Sequence, residues 1–268
     1  MFWKKKEPED YIRKKQYQKA IDLYRERLKE QPRNTALLMN IADTLLLDHK
    51  IDQAVKEYKK VAEIQTEQGF ILKAIALYKK VLKIQPSNSE IEMLLSNLSD
   101  RMALTGTPDV PAAGGESQET PAALQLGIET KLFRDLSPEE FKQIVTSLNL
   151  RHYHEDTIVV KEGDPGDSLF IVVRGQVRVL TQTPAKKEVV LANLGEGEFF
   201  GEVALLTGKP RTATIITNTT SELLELTRED YKKIIDRYPN VKKVAEEFHL
   251  QRTLKTVEAM VQAINEKA

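Results

Sequence analysis

The chain has 268 residues, with 40 lysines and arginines, 40 aspartates and glutamates, and no cysteine. Balanced charge provides no overall field to attract nucleic acid, and the lack of cysteine excludes disulfides, thiolate metal sites and a cysteine nucleophile. No segment approaches the roughly 18 apolar residues of a membrane span, and the opening MFWKKKEPED is charged where a signal peptide is apolar. We therefore expect a cytoplasmic protein with no membrane span, long enough for two domains.

The N-terminal part of the chain repeats one helical pattern three times. An aromatic or aliphatic residue is followed by alanine three positions later and by tyrosine four positions after that. The copies are Tyr17/Ala20/Tyr24, Ile51/Ala54/Tyr58 and Ile71/Ala74/Tyr78. These spacings place the side chains on one helical face, where small alanines let neighbouring helices approach. The period, together with the closing prolines Pro32 and Pro86, resembles the tetratricopeptide repeat.

This resemblance implies an all-α domain over residues 1–104, with five or six helices that end near Met102. The repeat windows overlap, so one helix, about Asp52 to Glu67, serves two of them. Tetratricopeptide arrays usually bind proteins or peptides on a concave surface. The resemblance therefore implies a protein partner, which the sequence does not identify.

A change of composition at residues 105–127 separates the helix-patterned sequence before it from the strand-patterned sequence after it. Residues 105–127 are rich in proline and glycine and contain no aromatic residue. Such a segment cannot bury enough apolar surface to offset its ordering entropy, so we predict a flexible linker. A second domain is expected over residues 128–268.

The second domain is predicted to contain seven or eight short strands. From Thr157 onward, runs rich in valine, isoleucine and phenylalanine alternate with turn sequences containing glycine and aspartate. Helices flank the strands: Ser137 and Glu140 form a capping signal, and a later helical segment breaks at Pro239. The expected fold is a β jelly roll or barrel with flanking helices, and the whole chain is an α+β multidomain protein.

The stretch FFGEVALLTGKPRTATI interrupts the strand pattern. Gly201 lets the backbone turn into a single helical turn, whose first N–H groups form an anion site. Arg211, which follows Pro210, can return to the same place and offer a planar set of donors to a phosphate. Glu202 beside it would repel a phosphate unless it accepts a hydrogen bond from a group such as a sugar hydroxyl. The stretch therefore predicts a ligand that is part phosphate and part ribose.

The same residues resemble the phosphate-binding cassette of cyclic nucleotide-binding domains. The cassette corresponds to Phe200–Leu206 and Pro210–Thr214, and the upstream turns around Gly166 and Arg174 also match. The resemblance implies that Arg211 binds the cyclic phosphate and Glu202 the ribose 2′-hydroxyl.

Further roles follow from this resemblance. The backbone N–H groups of Ala204, Leu205 and Ala213 would complete the phosphate site, and Gly201 would permit close approach. Asp167, in the turn that begins with Gly166, would orient Arg211. Thr212 is compatible with recognition of either guanine or adenine. Both cGMP and cAMP therefore stay open as the ligand, with cAMP preferred.

We expect a non-enzymatic signalling protein that binds cAMP or cGMP and couples this ligand to a protein partner of the helical repeats. The alternative is a scaffold or adaptor protein whose degenerate cassette binds no nucleotide, with Glu202 and Arg211 paired to each other. No cofactor and no metal are expected. His152 and His154 lie at strand spacing, but without a third ligand nearby we interpret them as surface residues. No helix-turn-helix pattern follows the last helix, so a DNA-binding regulator is not expected.

The C-terminal helix carries apolar residues at coiled-coil spacing. They are Leu250, Leu254, Val257 and Val261. This spacing is typical of a dimer helix, and it also suits a lid whose apolar face covers a bound base. Both interpretations stay open beside that of an ordinary amphipathic helix docked on its own domain.

Overall fold

The protein is described by a computed structural model that covers residues 7–105, 137–182, 188–243, 245–247 and 249–250. The chain divides into two units, Met1–Leu94 and Leu95–Ala268. The predicted linker, 105–127, lies outside the described residues apart from Thr105. The boundaries of the two domains on either side of this linker therefore stay a prediction.

The regular elements in the described part of the N-terminal region are all helices, as predicted. Its helices are α1 (Pro8–Arg13), α2 (Tyr17–Glu30), α3 (Thr35–Leu47), α4 (Ile51–Glu67), α5 (Ile71–Ile84) and α6 (Ser89–Thr105). The three alanines of the repeated patterns and the tyrosines that follow them (Tyr24, Tyr58 and Tyr78) are buried, with at most 3% of their surface exposed. Helix α4 packs against both α3 and α5, as expected of a helix that serves two windows. The tetratricopeptide nature of this array stays a prediction.

The C-terminal region contains eight strands in its described part. They are β1 (Asn149–Tyr153), β2 (Ile158–Val160), β3 (Ser168–Arg174), β4 (Val177–Gln182), β5 (Glu188–Leu194), β6 (Phe199–Phe200), β7 (Thr214–Thr217) and β8 (Ser221–Thr227). They form two four-stranded sheets of orders β1-β8-β3-β6 and β2-β7-β4-β5. All pairs are antiparallel.

The core of this region draws apolar side chains from both sheets. Phe170 and Phe200 stack with ring centroids 5.2 Å apart. They pack with Val177 and Leu194 of β4 and β5, and with Ile215 of β7. Because buried residues from two sheets form one cluster, the predicted jelly-roll or barrel architecture is confirmed.

Three helices accompany the strands: α7 (Pro138–Ser147), α8 (Glu202–Thr207) and α9 (Arg228–Arg237). The capping signal of α7 is confirmed, because the Ser137 hydroxyl accepts the N–H of Glu140 and the Glu140 carboxylate accepts the N–H of Ser137. Helix α9 ends at the predicted break before Pro239.

Residues 239–243, 245–247 and 249–250 are helical again. The side chain of Leu250 is 64% exposed, whereas Leu254, Val257 and Val261 lie outside the described residues. The dimer and lid interpretations of this segment therefore stay predictions. Among the helices that the structure describes, none is long and apolar enough to cross a membrane.

Candidate functional site

The predicted helical turn is confirmed, and it begins at a glycine that no other residue could replace without strain. Strand β6 ends at Phe200, and Gly201 adopts a left-handed backbone with φ of +89° before α8 starts at Glu202. A Cβ atom on Gly201 would lie 2.7 Å from both Nη1 of Arg211 and the backbone oxygen of Ser168. The glycine is needed for its conformation and for the close approach of Arg211.

Arg211 lies at the centre of the site and is buried, with only 6% of its surface exposed. Its Nη1 donates to the backbone oxygens of Ser168 at 2.6 Å and Gly201 at 3.3 Å. Its Nη2 donates to the hydroxyl of Ser168 at 3.0 Å. Three of the five guanidinium N–H groups are thus accounted for within the described part of the chain, all by neutral acceptors. The other two donors have no hydrogen-bond partner among the described residues.

Several charged side chains act on Arg211. Arg211 forms an ion pair with Asp167, in which Nη2 of Arg211 lies 3.8 Å from Oδ1 of Asp167. The side chain of Asp167 is 82% exposed. This distance exceeds that of a hydrogen bond, so Ser168 rather than Asp167 makes the direct bonds. Burial lowers the pKa of Arg211; the charges of Asp167, Glu225 and Asp164 oppose this shift, and that of Arg228 adds to it. The direct hydrogen bonds of the buried guanidinium thus go to neutral oxygens, and the carboxylate of Asp167 acts on it through space.

Gly166 brings the turn before β3 against α8. A Cβ atom on this glycine would overlap the Cβ of Ala204 and would lie 3.2 Å from Cδ of Arg211. The structure thus brings together five of the predicted residues, Gly166, Asp167, Gly201, Ala204 and Arg211. The contact depends on the small side chains at 166 and 204.

The other predicted residues differ in their exposure and in the hydrogen bonds of their backbone N–H groups. Glu202, the first residue of α8, is 3% exposed. The N–H of Leu205 donates to the oxygen of Gly201 at 3.2 Å, a bond within the helical turn. The side chain of Thr212 is exposed, and Ala213 is half-buried just before β7. In a helix that starts at Glu202, the N–H of Ala204 precedes the first intrahelical donor.

Sequence reasoning missed two residues of the site. Ser168 supplies both a hydroxyl and a carbonyl to Arg211, and its position next to Asp167 could have drawn attention to it. Arg228 donates to backbone oxygens of Gly166, Ala204 and Leu205. No local pattern marks Arg228, because its partners lie more than 20 positions away in the sequence.

A cavity of about 370 Å³ reaches Arg211 from the side of β1 and β2. Apolar side chains contributed by β2 and β3 form part of its wall. Of the predicted site residues, Asp167 and Arg211 line it, so the cavity and the cassette share the arginine. The lining residues are Arg151, Tyr153, Val159, Val160, Lys161, Asp164, Pro165, Asp167, Ser168, Phe170, Arg211 and Glu225.

The two histidines on β1 and just after it are exposed, as expected. Nδ1 of His152 lies 3.5 Å from a carboxylate oxygen of Glu222. The residues that the structure describes contain no group of three or more histidine, aspartate or glutamate side chains suited to a metal ion.

Comparison with known proteins addresses the family of the C-terminal region. Residues 150–238 match the family model of the cyclic nucleotide-binding domain. The chain is 35% identical over 128 residues to a cyclic nucleotide-gated potassium channel of Mesorhizobium japonicum, covering 48% of this chain and 34% of the channel. It is 38% identical over 110 residues to the cyclic AMP receptor protein of Thermus thermophilus, covering 41% of this chain and 51% of that protein. The chain thus spans about a third of the channel and about half of the receptor protein.

A solved structure gives a similar match. The crystal structure of the Thermus thermophilus catabolite activator protein aligns at 32% identity and a TM-score of 0.45, over 51% of this chain and 63% of that one. The resemblance stated from the cassette residues is confirmed by the family match. Over residues 150–238, this chain is thus similar to the cyclic nucleotide-binding domains.

Proposed function

We propose that this chain is a non-enzymatic regulatory protein that binds a cyclic nucleotide, cAMP in preference to cGMP, and relays its presence to a protein partner of the N-terminal helices. The observation that carries the ligand proposal is Arg211, a buried guanidinium held by neutral acceptors and with its acidic neighbour 82% exposed. A cyclic phosphate would give this guanidinium an anionic partner in a direct hydrogen bond. Charge-assisted bonds of this kind contribute about 1.5–3 kcal/mol each.

The remaining roles in the cassette are assigned by the same proposal. The guanidinium of Arg211 donates to the cyclic phosphate, and the backbone N–H groups of Ala204, Leu205 and Ala213 add further donors. The carboxylate of Glu202 accepts the ribose 2′-hydroxyl. To bind the phosphate, the N–H of Leu205 must give up its hydrogen bond to the oxygen of Gly201 or share its hydrogen between the two acceptors.

The preference for cAMP is supported by the relatives. One of them is named a cyclic AMP receptor protein and is 38% identical over its matched region. Other relatives are cGMP-dependent protein kinases, at 32% identity for that of Caenorhabditis briggsae. Thr212, whose exposed side chain follows the arginine, is the position at which the two bases would be distinguished.

Isothermal titration of the full chain with cAMP, cGMP and cyclic di-GMP tests the ligand. We expect micromolar binding of cAMP and weaker binding of cGMP. The Glu202→Ala variant should lose affinity for cAMP but not for 2′-deoxy-cAMP, which lacks the hydroxyl that Glu202 accepts. Glu63→Ala, at an exposed glutamate of α4, is the matched control and should bind as the natural protein does. If none of the nucleotides binds, the scaffold alternative takes the place of this proposal.

The relay to a partner is a separate part of the proposal. It is supported by the buried alanines and tyrosines of the repeated pattern, which build an array of packed helices suited to partner binding. The affinity of an isolated partner should change between zero and saturating cAMP, and cAMP affinity should change equally when that partner is present. Equal partner affinities with and without cAMP would show that the two functions are not coupled.

Two finer parts of the proposal concern assembly and location. The helical segment from residue 239 acts as a lid or as a dimer helix, supported by the exposed Leu250 at its described end. Light scattering over a range of protein concentrations separates the two, because a lid leaves the mass monomeric. A cytoplasmic location is supported by the absence of cysteine, which suits a reducing compartment.

A further inference from the structure

Arg228 occupies an unusual place between three segments of the domain. It is the first residue of α9, directly after Thr227, whose hydroxyl accepts the N–H of Asp230 and caps the helix. The cap holds the start of α9 in place, and the Arg228 side chain extends from there towards α8. The guanidinium is half-buried and contacts backbone rather than acidic side chains.

The bonds of this guanidinium converge on the last turn of α8. Nη1 donates to the backbone oxygen of Leu205 at 2.9 Å, and Nη2 donates to that of Ala204 at 2.7 Å. Carbonyls at the end of a helix carry partial negative charge, so a cation is favoured there. The oxygen of Ala204 also accepts the backbone N–H of Gly208 at 3.0 Å. Arg211 lies at the opposite end of the same helix, where it contacts Gly201.

The same arginine also holds the turn before β3. Its Nη2 donates to the oxygen of Gly166, and its backbone N–H donates to the oxygen of Asp167 at 2.6 Å. One residue therefore joins the start of α9, the turn that carries Asp167, and α8. A planar guanidinium serves these separate acceptors from two nitrogens, whereas the three donors of an ammonium group share a single nitrogen.

We infer that Arg228 is a positioning residue: it holds α8 in the place where its N-terminal N–H groups and Glu202 meet the ligand, and it ties any movement of α8 to α9. The second half of the inference rests on the proposed function, whereas the first half concerns the ligand-free protein. A shift of α8 on nucleotide binding must either carry α9 with it or break the bonds to Ala204 and Leu205. This route runs through hydrogen bonds to backbone oxygens.

Hydrogen–deuterium exchange of the full chain without nucleotide tests the holding role. The Arg228→Lys variant keeps the charge but loses the planar set of donors. Amide exchange in residues 202–208 should become about tenfold faster or more, the effect of losing one charge-assisted bond. Arg237→Lys is the matched control, because Arg237 is an exposed arginine of the same helix. Unchanged exchange in residues 202–208 overturns the inference, and so does a uniform increase across all strands, which would indicate general destabilisation.

A second arm tests the link to the ligand. With saturating cAMP, exchange in the natural protein should change in both residues 202–208 and residues 228–237, and Arg228→Lys should confine the change to the first segment. The dissociation constant of the Arg228→Lys variant for cAMP should be about tenfold higher than that of the natural protein. A change in both segments of the variant overturns the tie to α9. If the natural protein binds no cyclic nucleotide, the proposed function fails, while the ligand-free arm still decides the holding role.

Discussion

Replacing Gly166 by alanine should disturb the site through a single steric contact. A Cβ atom there would overlap the Cβ of Ala204 and would lie 3.2 Å from Cδ and 3.3 Å from Nε of Arg211. Carbon atoms pack at about 3.5–4.0 Å, so α8 must move away by roughly 1 Å or more. Such overpacking costs about 1–3 kcal/mol of unfolding free energy. A shift of this size also breaks hydrogen bonds to a ligand, so we expect cAMP affinity to fall about tenfold to a hundredfold.

A double-mutant cycle isolates this contact. Ala204→Gly removes the obstructing methyl group and by itself costs about 1 kcal/mol, because glycine is a poor helix former. In the variant that combines both changes, stability should recover, giving a coupling energy of about 1–3 kcal/mol in urea denaturation. The matched control is Gly195→Ala, since a Cβ atom at Gly195 would meet nothing within 4 Å.

The contact between residues 166 and 204 is refuted if the effects of Gly166→Ala and Ala204→Gly on the unfolding free energy are additive to within about 0.5 kcal/mol. Sites that do not interact behave in this way. It is also refuted if Gly166→Ala is as harmless as Gly195→Ala. Either result would mean that the turn before β3 does not rest on α8. The placement of Arg211 against both segments would then be wrong as well.

Two further predictions concern stability. The hydroxyl of Tyr231 is buried and has no hydrogen-bond partner among the described residues, while burial, aided by the charge of Glu246, raises the pKa of Tyr231 to about 12. A raised pKa means that stability is complete below the unfolded value of 10.0 and falls as the pH rises towards 12. Tyr231→Phe should therefore leave stability unchanged or higher at pH 7 and lessen the loss between pH 10 and 12 by at most about 2–3 kcal/mol; marked destabilisation at pH 7 would indicate a partner for the hydroxyl. Ser137→Ala should cost about 1 kcal/mol in thermal or urea unfolding by removing the cap of α7, and a cost below about 0.3 kcal/mol would contradict the role of that cap.

The sequence was sufficient wherever structure follows from local chemistry. The Ser137–Glu140 cap, the turn of helix after Gly201 and the break before Pro239 all depend on residues within a few positions of one another. The buried faces of α2, α4 and α5 follow from periodicity alone. These features were therefore predictable without knowledge of the tertiary fold.

Features that depend on distant segments were less accessible. Arg228 bonds to α8 and to the turn before β3, whose positions relative to α9 are set by the pairing of β3 with β8. Ser168 approaches Arg211 across 43 positions of sequence. Sequence spacing suggested a direct bond between Asp167 and Arg211, yet the separation is 3.8 Å and the serine makes the close contacts. Such geometry is decided by packing, which no local pattern records.

The most direct test of the account is the affinity of the Arg211→Ala and Arg211→Lys variants for cAMP, measured by isothermal titration beside the natural protein. Removal of the guanidinium takes away one or two charge-assisted bonds of about 1.5–3 kcal/mol each, so the dissociation constant should rise by roughly one to four decades. Arg211→Lys retains the charge and tests the need for the planar donors if the alanine variant fails to fold. We expect micromolar binding in the natural protein and its loss in both variants, with circular dichroism unchanged in the lysine variant. An unchanged dissociation constant in a folded variant would contradict the assignment of this site.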